Sequence, residues 1–150
     1  MTIETIFQIF IEAVAATSLM TLFSYAVSAA AREVYKEPLL LTYVMSFLRI
    51  EVSLNVKSIL AWVVHYLIGI LFVIGYHVIW NNDIMEISWL TALILGICIG
   101  SIGIAGWMIL FSLVPKKPAI DYKGYYIQLF IAHLIFSATA FKVYLLFNWP

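Results

Sequence analysis

From Ser58 to Trp80 the chain runs twenty-three residues without one formally charged side chain. A helix of about that length crosses the roughly 30 Å hydrocarbon core of a bilayer. Three further apolar runs of comparable length follow the same rule, at about Ile6 to Ala30, Ile87 to Val114 and Tyr125 to Phe147. Lipid offers no hydrogen bonds to backbone amides, so only helices and closed barrels span it. Barrel strands alternate in polarity, whereas these runs are apolar throughout, which leaves helices. The expected fold is all-α: a polytopic membrane protein of four transmembrane helices forming a single membrane domain over residues 1–150. With 65% hydrophobic and only 11% charged residues, the chain could not solvate a soluble surface, for which about 25% charged is usual. The lipid bilayer is thus the first partner implied. The net charge of zero provides no field to attract nucleic acid.

The N-terminus lacks the basic stretch of a signal peptide, and the run behind it is too long for a cleaved one, so it is read as a retained first span. Lys and Arg orient the spans. The first connection carries Arg32, Lys36, Arg49 and Lys57, the third Lys116, Lys117 and Lys123, and the second only Asp83 and Glu86. An excess of cations marks the cytoplasmic side. Connections one and three are therefore expected in the cytoplasm, and both termini and connection two outside. Lys142 dissents, near enough to the outer end of span four to snorkel. Within connection one, Thr42, Ser46, Arg49 and Ser53 share one helical face of 39–53, and Leu40, Val44, Phe47 and Leu48 another. That pattern predicts a short interfacial helix between spans one and two, with a re-entrant segment as the alternative.

Spans two and four share a spaced string. His65, Gly69 and Tyr76 in one match His133, Ser137 and Tyr144 in the other: His, three residues, a small residue, six residues, Tyr. The spans before them share Met20-Thr-Leu-Phe-Ser24 and Met108-Ile-Leu-Phe-Ser112. The common order predicts two repeated hairpins, at about 6–80 and 87–147, related by a pseudo-twofold axis along the membrane normal. The His-x3-Gly-x6-Tyr string of span two, with its echo in span four, resembles the YagU-like family of small bacterial inner-membrane proteins. The resemblance implies a four-span frame and a bacterial inner membrane, and it implies no activity.

The candidate functional residues are the polar groups at membrane depth. His65 and His133 are expected in the cytoplasmic half at matched depth, with Ser24 and Ser112 near the same ends of spans one and three. As neutral imidazoles they would lock helix to helix by bonding Ser24, Ser112 or a carbonyl. As a bis-histidine pair they would clamp a haem iron, the one cofactor the sequence brings forward. Tyr76 and Tyr144 stand on the same helix faces three turns away, and His77 is turned about 120° from them, toward the outer interface. Glu12 reads equally as an intramembrane acid and as an interface residue. Thr17, Thr21, Ser24 and Ser28 form a hydroxyl stripe on span one, suited to a water path or to close packing. Gly96, Gly100 and Gly103, with Gly106, thin one face of span three for helix packing, expected to be internal. Trp62, Trp80, Trp89 and Trp149 are expected as interface anchors, and Trp107 as a packed side chain. The lone Cys98 is expected buried and structural, and no metal site is expected.

There is no phosphate-binding glycine loop, metalloprotease helix or acid pair, and no carboxylate shares the depth of the Ser and His residues. The expectation is therefore a membrane protein without recognisable catalysis, serving as an accessory or scaffold subunit beside partner subunits or as a homo-oligomer. The alternatives are a small transporter or channel component working through Glu12 and the hydroxyl stripe, and a haem-binding redox subunit.

Overall fold

The computed structural model describes residues 2–48 and 50–148. Five helices follow one another: α1 (Ile3–Ala31), α2 (Glu37–Phe47), α3 (Leu54–Asn81), α4 (Trp89–Leu113) and α5 (Tyr122–Phe147). No strand occurs among the described residues. All but α2 are long and apolar enough to cross a membrane. Even α4, at 25 residues, reaches about 38 Å. The chain is a multi-pass, all-α membrane protein.

Local chemistry sets the helix ends. Thr2, Ser53 and Ser88 cap α1, α3 and α4, each side-chain oxygen accepting from the backbone N–H three residues on. Arg32 ends α1 in a left-handed conformation, φ 55°, as the residue after a helix often does. Helix α2 is shorter than the 39–53 pattern predicts and begins earlier. Pro38 fits its first turn, where no backbone donor is needed. Because Ser53 already caps α3, the chain has left the helical path over 50–53. Arg49 of that pattern, and the expected anchor Trp149, lie outside the described residues.

In cross-section the spans stand in the order α3, α1, α5, α4, each packed on the next, while α2 lies against α3. The central α1–α5 seam is closed by small side chains, with Ala13, Ala16, Ala132 and Ala140 wholly buried. In lipid, helices associate through close van der Waals packing, which small residues permit. At the α2 end, Leu40 and Val44 join Tyr35, Phe111, Val114, Tyr125 and Leu129 in a second cluster.

A twofold relating the hairpins would match the α1–α5 contact with an α3–α4 contact. Those two helices do not pack along one another. A Cβ on Gly69 would strike Thr17 of α1. At the equivalent place Ser137 of α5 donates to the Ala92 carbonyl of α4, and its Cβ is 3.0 Å from where Gly96 would carry one. The small residue of each string thus sits in close contact with the preceding span.

The linear order also changes two expectations. Helix α4 has α5 as its main neighbour, so Cys98 is exposed rather than buried. Trp80 is buried at 2% exposure, packed against Tyr76, Phe141 and Tyr144 rather than anchored at an interface. Trp89 is exposed.

Candidate functional site

Because α3 and α4 stand apart, a cavity of about 370 Å³ opens between them, with α1 and α5 behind it and α2 at one end. That is at the small end of the range for small-molecule sites. Val64 and Ile68 of α3 and Ile102 of α4 line it yet remain exposed. The cavity therefore opens sideways, toward the surface that lipid covers. Its lining is apolar except for Glu37, His65, His133, Thr17 and the indole N–H of Trp107.

The two histidines lie eleven residues into α3 and α5. His133 donates from Nδ1 to the Leu129 carbonyl at 2.8 Å. A carbonyl has no proton to give, so Nδ1 holds the hydrogen and the neutral ring keeps a bare Nε2. That edge of the ring lies against Gly103, where a Cβ would come within 2.9 Å of Nε2. Gly103 is thus the clearance that admits the imidazole, and Gly100 similarly clears Phe130. His65 bonds through Nε2 to the Thr21 hydroxyl at 2.9 Å. Thr21 spends its own proton on the Thr17 carbonyl at 2.6 Å, so His65 Nε2 donates and Nδ1 is left bare.

Neither histidine uses the expected serine. Ser112 is exposed and bonds the Ile109 carbonyl of its own helix. Ser24 is fully buried and donates to Glu37 Oε1 at 2.8 Å, and Gln128 donates to Ser24 at 2.6 Å. Sequence reasoning missed both Glu37 and Gln128. Glu37 sits beside the basic cluster of connection one and looks like part of a solvated loop, while Gln128 is an isolated amide in an apolar run. Glu37 is 3% exposed, and its Oε2 has no hydrogen-bond partner among the described residues. Burial raises its carboxyl from 4.5 to about 7, against the opposing pull of its backbone, Ser24 and Gln128 hydrogen bonds.

The hydroxyl stripe of α1 faces inward, since Thr17, Thr21, Ser24 and Ser28 are all buried. Glu12 also resolves to the interior, at 0% exposure. Its carboxylate lies 3.0 Å from His77 Nε2 and accepts from Gln8 at 2.8 Å. His77, expected near the interface, is buried with Tyr144 packed on its ring, 5.3 Å between centroids. The α1–α3 contact turns both groups inward at one height. Tyr76 and Tyr144 belong to this aromatic end, with Trp80, and do not line the cavity. Two polar centres result: Glu37, His65 and His133 around the cavity, and Gln8, Glu12 and His77 packed shut.

The residues divide by role at the α4 wall. Gly96 and Gly100 press on α5, Gly103 admits His133, and Gly106 lines the cavity with open space where its Cβ would be. Trp107 also lines the cavity and stacks near Phe111 and Tyr125. No three His, Cys, Asp or Glu side chains among the described residues are gathered to hold a metal ion.

No protein-family model, curated protein or solved structure matches this chain.

Proposed function

We propose that this membrane protein binds a lipid-soluble small molecule, which enters sideways between α3 and α4 and meets Glu37, His65 and His133 with its polar end. The observation that carries this reading is the convergence of three titratable side chains, from α2, α3 and α5, on one half-enclosed apolar cavity. An apolar pocket with a few convergent polar groups is the usual form of a small-molecule site. Polar groups at membrane depth are costly and are kept where they serve a function.

The distribution of Lys and Arg supports placing the α2 end in the cytoplasm and both termini outside. The YagU-like string at His65, Gly69 and Tyr76 supports a bacterial inner membrane. On this reading the chain serves as an accessory subunit that holds its ligand in an apolar, membrane-facing cavity. Transport through Glu12 is disfavoured, because that carboxylate is already engaged by His77 and Gln8. Haem is a weaker occupant, since His65 spends its Nε2 on Thr21.

The test fills the cavity without disturbing the fold. Gly106→Leu places a side chain in open space, and Gly75→Leu, also unobstructed but away from the cavity, is its control. Protein purified from its membranes in mild non-ionic detergent is extracted and analysed by mass spectrometry. A small molecule retained by wild type and Gly75→Leu, and lost from Gly106→Leu, supports the reading. Equal retention by Gly106→Leu, or nothing enriched in wild type, removes it. The same preparation reports any stoichiometric partner subunit.

A further inference from the structure

The free valences that the titratable side chains turn to the cavity are mainly acceptors, beside the Thr17 hydroxyl and the indole N–H of Trp107. His133 has its only ring hydrogen on Nδ1, bonded to Leu129, so Nε2 can only accept. His65 has its hydrogen on Nε2, directed to Thr21, so Nδ1 can only accept. Glu37 receives Ser24 on Oε1, and among the described residues its Oε2 has no partner, free to accept when ionised and to donate when protonated. The Thr17 hydroxyl, 1% exposed, also has no partner among the described residues. Among the described residues, no Lys or Arg lines the cavity.

Resting on the ligand-binding reading above, we infer that the site selects an uncharged ligand whose polar end donates a hydrogen bond, an alcohol or phenol on an apolar body, over phosphorylated or cationic amphiphiles. A phosphate brings negative charge and acceptor oxygens to a cavity that already has acceptors and a carboxyl group and that, among the described residues, has no cation. Removing such an ion from water without a partner is prohibitive. An ammonium group finds acceptors, yet it too must shed its hydration, and only one carboxyl group faces it. A hydroxyl gives its proton to an imidazole nitrogen or to Glu37 Oε2, and accepts from the Thr17 hydroxyl, at far smaller desolvation cost. Glu37 comes from α2 and His65 and His133 from α3 and α5, so the hydroxyl end is drawn inward while the apolar body extends toward the α3–α4 opening.

Four probes with one tail separate the possibilities: farnesol, farnesyl methyl ether, farnesylamine and farnesyl monophosphate. Each is titrated calorimetrically into the full chain in neutral detergent at pH 7. The expected result is tightest binding of farnesol, with each of the others at least tenfold weaker and binding lost in Gly106→Leu. His133→Phe narrows the alcohol-to-ether ratio by removing an acceptor. His65→Phe is made in parallel, so that loss of one folded variant leaves the comparison intact. Equal binding of alcohol and ether, or tighter binding of the amine or phosphate, overturns the ligand class while leaving the cavity as a binding site. If none of the four binds, the ligand-binding reading itself falls.

Discussion

The buried Glu37 carboxyl makes stability depend on pH in a direction opposite to that of most acidic residues. Its carboxyl is raised from 4.5 to about 7, chiefly by burial. Between those values the unfolded chain has released a proton that the folded chain still holds. Stability is therefore complete below about pH 4.5, declines as pH rises toward 7, and levels off above it. The displacement corresponds to about 3 kcal/mol across the whole window. By the scaling for domains of this size, that is a fall in Tm of roughly 6–12 °C. Thermal unfolding in non-ionic detergent, followed by circular dichroism from pH 4.5 to 8, measures it. Glu37→Gln keeps the shape and removes the titration, so its curve should be flatter than wild type by most of this amount. Other titrating groups contribute equally to both proteins and cancel in the comparison. A Glu37→Gln profile parallel to wild type would show that Glu37 ionises freely, and the account of its burial would be wrong.

Three further outcomes follow from the packing. Glu12→Ala or His77→Ala leaves one member of a buried pair without its partner and should cost about 3 kcal/mol or more; in Glu12→Leu/His77→Leu, measured in the same melts, the loss should be well below the sum of the two singles. Ser24→Ala removes the link between Glu37 and Gln128 and should destabilise by about 1–3 kcal/mol, whereas Ser112→Ala, at the matching place in the sequence string but exposed, should be silent. Gly103→Ala presses a methyl group on the His133 ring; coupling with His133→Ala in a double-mutant cycle should exceed about 0.5 kcal/mol, and strict additivity would mean the ring does not occupy that space.

The four spans are legible in the chain, because each is a long apolar run with at most one formally charged side chain, and lipid admits such a run only as a helix. The sequence also marked small residues where spans meet, Gly96 and Gly100 among them, since close helix contact in lipid needs missing side chains. It named His65 and His133, which share the cavity lining. What it left open was which face of each helix turns inward. In a soluble helix polarity marks that face, but here protein interior and lipid are alike apolar, so the pattern carries little direction. That α3 packs on α1 and away from α4, opening the cavity, is set by long-range packing. The same choice buried Glu12 against His77 and exposed Cys98. It also drew Glu37 out of a basic loop to meet Ser24 and Gln128, residues 13 and 91 positions away. Contacts at such separations depend on the neighbour order of the helices, which no local run of residues encodes.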